Sequence, residues 1–340
     1  MTPPPPSRVL LIKPSSLGDV ATAVPVLRAL RRQFPAAHLS WMLSSGCAPL
    51  LAGDGDLDEI VLFERRKLGA WWRSAAAGGQ LVRFLDGLRR GRYDWVIDLQ
   101  GLLRSGLFAL ATGAPLRAGF ADAREGASAF YTHRCRPRQR HTIDRNIAVA
   151  RMLGVEAARA DLTLAVSDEG RRFAEEFRRE AGAAGGYYVC VPPTRWASKL
   201  YPPRRWRQVV AALARRLPVA VVGTASDAAL CRQVADASPA ARDLAGRTSI
   251  PQLVGLIAAS AAVVCSDSAA QFIAAAVGRP AVVLVGPTRV ERTGPCAGGR
   301  AVVAPLPCRG CLRRRCRHIT CMEAIDPGEV VAAVERLPAT

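Results

Sequence analysis

Lysine is nearly absent from this chain. Of 47 basic residues only Lys13, Lys67 and Lys199 are lysines, which leaves 44 arginines. Together with the abundance of Ala, this is the bias a GC-rich genome imposes, so it says little about function. Aromatic residues make up only 6% of the chain, and Ala, Val and Leu supply most of the apolar mass. No apolar run approaches ~20 residues without a charge, Pro or Gly cluster, which excludes an evident membrane-spanning helix. The opening Met-Thr-Pro-Pro-Pro-Pro-Ser lacks the charged-then-apolar pattern of a signal peptide, so the expectation is a cytosolic protein. Ten cysteines in 340 residues fall short of a disulfide scaffold, and Cys190 and Cys265, inside apolar runs, read as small core residues. No G-x-G-x-x-G follows the first strand and no Walker A sequence occurs, which argues against nicotinamide dinucleotide binding and P-loop phosphoryl transfer.

Half of the 340 residues are hydrophobic and 22% are charged, enough to bury a full core in each of two domains and to exclude disorder. The net charge is +19. Residues 1–165 carry 23 basic and 14 acidic side chains, and residues 166–340 carry 24 and 14, so no basic tail explains the total. A positive field spread over the whole protein favours anionic partners: phosphorylated metabolites, nucleic acid or an anionic membrane.

Short β-rich runs alternate with helical spacing in both halves. Strands are expected at 9–12, 39–43, 59–63, 95–99, 187–191, 219–222, 262–265 and 281–285. Helices are expected at 20–34, 79–90, 102–111, 204–216, 225–235, 250–259 and 268–277. Continuous apolar strands separated by helices imply parallel sheets covered on both faces. The fold class is therefore α/β, with two Rossmann-like, doubly wound domains. The join is expected in the polar, Gly-rich stretch 163–186, giving domains of 1–170 and 171–340. Ligands of open α/β sheets bind beyond the carboxyl ends of the strands, so the expected site is a central cleft between the domains. After the first strand comes Lys13-Pro14-Ser15-Ser16-Leu17-Gly18-Asp19-Val20. Ser, Gly and Asp at a strand-to-helix turn fit a tight turn with an N-cap. On composition alone that is the favoured reading; the functional one places Asp19 where a general base would face the cleft.

The segment Ile12 to Val20 resembles the N-terminal signature of the bacterial lipopolysaccharide heptosyltransferases, glycosyltransferase family 9. Further matches follow in order: Tyr93-Asp94-Trp95-Val96-Ile97-Asp98-Leu99-Gln100-Gly101, Arg117 to Phe120, and His141-Thr142-Ile143-Asp144-Arg145-Asn146. In the second half Thr194-Arg195-Trp196-Ala197-Ser198-Lys199-Leu200-Tyr201-Pro202 is similar to the family's R-W-x-x-K-x-[WY]-P. Ser266-Asp267-Ser268 with Ala274 to Pro280, Gly286 to Thr288, Glu291 to Pro295, and Cys321 to Ile325 complete the set. The resemblance implies a GT-B fold and inverting transfer of heptose from ADP-heptose to the phosphorylated lipid A–inner core acceptor. The N-terminal domain would bind acceptor and the C-terminal domain donor, and the last helix, 327–337, is a candidate to pack back on the N-terminal domain.

Carried over residue by residue, Asp19 is the base that deprotonates the acceptor hydroxyl. Lys199 contacts the donor diphosphate, whose charge grows as the bond breaks. Thr194, Asp267, Ser268 and Ala269 line the donor pocket at a helix start that adds backbone N–H donors, and Asp227 is a candidate for the ribose. Lys13, Ser16 and Gly18 belong to the acceptor side, with Arg136 and Arg138. Two positions depart from the family: its Gly is Ala269 and its His is Phe272, which leaves another nucleotide sugar or acceptor as the alternative. The family places such an enzyme in the cytoplasm, peripherally on the inner membrane of a Gram-negative bacterium. It implies no required cofactor (Mg2+ at most stimulating), no metal in the mechanism and no nucleic-acid partner.

Two constellations stand apart. Cys308, Cys311, Cys316 and Cys321, with His318 between and five arginines around them, have the spacing of a zinc knuckle; an Arg-rich loop with reduced thiols or a local disulfide is the favoured reading. Taken with the charge, the knuckle defines a different-class alternative, a basic nucleic-acid-binding protein, which the dispersal of the basic residues disfavours. Arg134, Arg136, Arg138 and Arg140 alternate along an extended segment suited to phosphates. Trp71-Trp72, among Arg65, Arg66, Lys67 and Arg73, fits an interfacial anchor or a partly buried helix.

Overall fold

A computed structural model describes residues 3–64, 74–296 and 298–338. The proposed interfacial anchor, Trp71 and Trp72 with Arg65, Arg66, Lys67 and Arg73, lies outside the described residues. The chain divides into two compact units, Met1–Leu162 and Thr163–Thr340.

In the first unit six strands, β1 (Arg8–Ile12), β2 (His38–Leu43), β3 (Glu59–Leu62), β4 (Trp95–Asp98), β5 (Leu116–Phe120) and β6 (His133–Cys135), form one parallel sheet in the order β3-β2-β1-β4-β5-β6. Val9 to Ile12 have no exposed surface, as a central strand covered on both faces requires. Ile12 lies level with Asp98 across the β1–β4 pair. The second unit repeats the pattern with β7 (Tyr188–Val191), β8 (Val219–Val221), β9 (Ala241–Asp243), β10 (Ala262–Ser266), β11 (Ala281–Leu284) and β12 (Arg300–Val302), ordered β12-β11-β10-β7-β8-β9 and all parallel. Numbered within each unit, both orders are 3-2-1-4-5-6, the doubly wound arrangement. The sheet's direction of growth reverses between the first and fourth strands, and two strand-end loops lie side by side there. Those points are β1/β4 and β7/β10.

The expected helix over 20–34 is two helices, Leu17–Ala21 and Val24–Gln33, with Pro25 in the first turn of the second. Proline has no N–H to give an earlier carbonyl and is tolerated only there. Four strands were not expected, and three of them, β6, β9 and β12, are three-residue edge strands. Paired on one side only, they need no continuous apolar run.

The stretch expected as a linker holds an amphipathic helix, Asp168–Glu180, burying Gly170, Ala174 and Phe177 at helical spacing. It belongs to the second unit, so the division falls before 163 rather than at 170/171. The cause is close packing: a Cβ on Gly255, in helix Ile250–Ala258, would lie 2.1 Å from the Gly170 carbonyl oxygen. The last helix, Pro327–Glu335, packs on helix Pro203–Leu213 and on β11 and β12 of its own unit. The Tyr201 hydroxyl anchors its approach by donating to the Ile325 carbonyl at 2.9 Å. Among the described residues no helix is long and apolar enough to cross a membrane.

Candidate active site

In the first unit the chain leaves β1 at Ile12 and turns into helix Leu17–Ala21. Asp19 Oδ2 accepts the Ser16 backbone N–H at 2.9 Å and the Ser16 hydroxyl at 2.8 Å. The turn and base readings are therefore compatible, because both turn bonds fall on one oxygen of a half-buried carboxylate. Gly18 is buried beneath it. Lys13 is only 6% exposed, and its ammonium donates to the Leu99 carbonyl at 2.5 Å, tying the β1 loop to the β4 loop. Burial pushes its pKa down, Asp19 and Asp98 oppose this, and Arg145 and Arg124 reinforce it. Lys13 is thus a buried tie between the β1 and β4 loops.

Asp98, with no exposed surface, organises the β4 loop. It accepts the backbone N–H of Gln100 at 2.8 Å and of Gly101 at 3.2 Å, and the Tyr131 hydroxyl at 2.6 Å. Burial raises its pKa and those bonds lower it, that from Tyr131 foremost. Asn146, in helix Thr142–Met152, donates to the Thr22 carbonyl at 3.0 Å and so braces the segment bearing Asp19 from behind. Arg136 and Arg138 are exposed in the loop after β6. That loop is on the carboxyl edge but three strands from β1, about 14 Å at ordinary strand spacing.

In the second unit the loops after β7 and β10 meet through one network. Lys199 Nζ donates to Asp267 Oδ2 at 3.0 Å and to the Asp267 carbonyl at 3.2 Å. The same ammonium sits 4.5 Å from the Trp196 ring centroid, and the Arg314 guanidinium lies 5.3 Å from it. Thr293 Oγ1 donates to Asp267 Oδ2 at 2.9 Å and Gln271 Nε2 to Oδ1 at 2.8 Å. Asp267 therefore has both oxygens engaged and holds Lys199 in place. Around it Ser266 Oγ, Gln271 Oε1 and Thr288 Oγ1 are buried without hydrogen-bond partners, and Ser268 Oγ has no nitrogen or oxygen partner, its neighbour being the Cys265 thiol. An unsatisfied buried polar group costs roughly 1–3 kcal/mol. Three of them, Ser266 Oγ, Gln271 Oε1 and Thr288 Oγ1, at or just beyond the carboxyl ends of β10 and β11 fit a site built for a polar ligand.

The Cys-Arg loop is stitched onto this site. Ser198 Oγ donates to the Arg313 carbonyl at 2.6 Å, Gly310 N–H to the Gly286 carbonyl at 2.9 Å and Leu312 N–H to the Pro287 carbonyl at 2.7 Å. Cys308, Cys311, Cys316 and Cys321 are free thiols, with Cys308 and Cys311 exposed and Cys321 buried. Among the described residues no three His, Cys, Asp or Glu side chains gather as a metal site. Thr194 Oγ1 donates to the Trp196 carbonyl at 2.7 Å. Asp227 Oδ2 accepts the Thr224 N–H and hydroxyl at 2.9 and 2.5 Å, closing the turn after β8. Ala269 begins helix Ala269–Ala276, and Phe272 is buried in it.

Sequence reasoning missed Trp196 as a cation platform, along with Arg314, Thr293, Thr288 and Gln271. Trp196, three residues before Lys199 in the same motif, and Gln271, four residues after Asp267 on a helix, left a signal; Arg314, Thr293 and Thr288 come from distant loops.

Two doubly wound parallel-sheet units, each with a polar site at its switch point, are the architecture of the GT-B class. The chain belongs to glycosyltransferase family 9 (heptosyltransferase), whose model matches residues 81–321. It is 30% identical to lipopolysaccharide heptosyltransferase 1 of Pseudomonas aeruginosa, over 92% of this chain and 88% of the relative. It is 27% identical to lipopolysaccharide heptosyltransferase 2 of Escherichia coli, over 85% of each. The structure of E. coli heptosyltransferase WaaC with ADP has the same fold, at a TM-score of 0.78 and 22% identity, covering 96% of this chain and 99% of that one.

Proposed function

We propose that the enzyme transfers heptose from ADP-heptose to the phosphorylated lipid A–inner core acceptor, with inversion at the anomeric carbon. The observation that carries the reading is the Lys199–Asp267–Gln271–Thr293 network, ringed by unpartnered buried hydroxyls, at the second unit's switch point. Asp267 uses two of the three Lys199 protons, and the third is available to a diphosphate oxygen. Ser268 and Thr288 offer hydroxyls to sugar or phosphate, and Thr194 and Asp227 line the neighbouring loops.

In the first unit Asp19 takes the acceptor hydroxyl proton as that oxygen bonds to the anomeric carbon. The carbon–oxygen bond to the diphosphate breaks on the opposite face, and ADP departs with the electron pair toward Lys199. In this reading Lys199 and Arg314 supply the positive charge for the leaving group, and no cofactor is required. Arg136 and Arg138 would meet acceptor phosphates, with the protein peripheral on the cytoplasmic face of the inner membrane.

The test is ADP release from ADP-heptose, dependent on purified lipid A–inner core acceptor. A thermal-shift series with ADP-, GDP-, UDP- and CMP-sugars runs alongside. Selective stabilisation by ADP-heptose is expected. A response to a different nucleotide sugar would replace the donor assignment and would fit the departures at Ala269 and Phe272.

A further inference from the structure

Seven large hydrophobic side chains are conspicuously exposed among the described residues, and five of them cluster in chain position: Leu62 at the end of β3, Val82 in helix Ala75–Arg90, and Leu103, Leu107 and Leu110 in helix Leu103–Ala111. The two helices pack against each other. Leu103, Leu107 and Leu110 recur at i, i+4 and i+7, which is one helix face. They are 42%, 44% and 45% exposed, while Ser105, Gly106, Phe108 and Ala109 are buried. The helix therefore has two apolar faces, and the core uses only one.

The charge on the two helices is mostly positive, and one carboxylate from outside them, Glu125, accepts the Leu103 backbone N–H at 3.2 Å at the start of the face. Arg83, Arg89, Arg90 and Arg104 are exposed on the two helices, and the single carboxylate among them, Asp86, is paired with Arg90 at 2.6 Å.

We infer that the outer face of helix Leu103–Ala111 is a docking surface for an anionic lipid bilayer, its leucines entering the interface and the flanking arginines meeting the head groups. Leucines on one face with arginines beside them are the composition of a helix lying in the plane of a membrane surface. A second copy of the chain is the poorer occupant, because a two-fold contact through this face would set arginine against arginine. The placement also suits the chemistry, and here the inference rests on the proposed transfer to a lipid-anchored acceptor. The helix follows β4, so Leu103 stands at the carboxyl edge of the first sheet, the edge that carries Asp19. Leu110 lies about 10 Å further along the axis. A bilayer on this face presents its lipid at the rim of the acceptor site.

The experiment is co-sedimentation of the full chain with phosphatidylglycerol–phosphatidylcholine vesicles, against phosphatidylcholine alone. It compares the wild type with the triple variant Leu103→Gln/Leu107→Gln/Leu110→Gln and with Arg83→Gln/Arg89→Gln/Arg104→Gln. Wild-type binding is expected to need phosphatidylglycerol and to weaken with salt. The leucine variant should lose about tenfold or more in vesicle affinity. The arginine variant should lose the preference for phosphatidylglycerol. Heptose transfer to a delipidated, soluble acceptor should be unchanged in both, which also shows that they fold. Undiminished vesicle binding by the leucine variant would overturn the inference. So would a change from dimer to monomer, by light scattering, with vesicle binding intact, because the face would then join two copies. Absence of heptose transfer by the wild type would instead overturn the proposed reaction, and it is read separately from vesicle binding.

Discussion

The Lys199–Asp267 pair permits a test that separates holding the fold from handling the donor. Its side chains are 14% and 5% exposed and the charges are 3.0 Å apart. Two unit charges at that distance attract by about 5 kcal/mol at an effective dielectric of about 20. Desolvation offsets much of that gain, so the net coupling expected from a double-mutant cycle is about 1–3 kcal/mol. Lys199→Met leaves Asp267 with only the Thr293 and Gln271 bonds and should cost about 2 kcal/mol, or about 4–8 °C in Tm for a unit of this size. Asp267→Asn leaves the ammonium its carbonyl bond and the Trp196 face and should cost less. The double variant should be more stable than the sum of the singles predicts, yet as inactive as Lys199→Met. Chemical denaturation gives the first quantity, and ADP release at varied ADP-heptose concentration the second. If the double variant regained transfer, Lys199 would serve only to neutralise Asp267 and its assignment to the leaving diphosphate would be wrong.

Three further outcomes are expected. Asp19→Asn keeps an oxygen to accept the Ser16 N–H but cannot take a proton, so kcat should fall at least about 100-fold while donor binding by thermal shift persists; unchanged turnover removes Asp19 as the base. Gly255→Ala would press a methyl into the Gly170 carbonyl and should destabilise the second unit by about 3 kcal/mol or more, and a Tm equal to wild type would refute that contact. The bidentate Arg159 contacts, at 2.6 and 2.5 Å, hold the Asp144 pKa below the ordinary carboxylate value. A depressed acid contributes stability that is present above its unfolded pKa and lost as pH falls through the folded one. Denaturation at stepped pH should therefore show Asp144→Asn narrowing its deficit below about pH 4; the pair is part-exposed, so the effect is at most about 1 kcal/mol.

Both central strands, the alternation of strand and helix and the chemistry at their ends were legible in the sequence, because a strand buried on both faces must be apolar along its length. Asp19 and Lys199 stood out as a carboxylate and a rare lysine just past such strands. The helix at 168–180 was less legible, since its highly charged face resembles a linker until Phe177 and Gly170 find their partners. Edge strands such as His133–Cys135 were not legible, because a strand paired on one side needs no diagnostic composition.

The sequence by itself determined the fold class, the parallel sheets and the residue types available at each strand end, all of which follow from local periodicity and residue chemistry. Only the tertiary structure decided which of those residues act on one another. The order 3-2-1-4-5-6 sets the β7 and β10 ends side by side, so Lys199 meets Asp267 across 68 residues of chain. It likewise brings Tyr131 to Asp98 and lays the arginine-rich loop against Ser198 and Gly286. Such contacts depend on strand order and register, which no local pattern encodes.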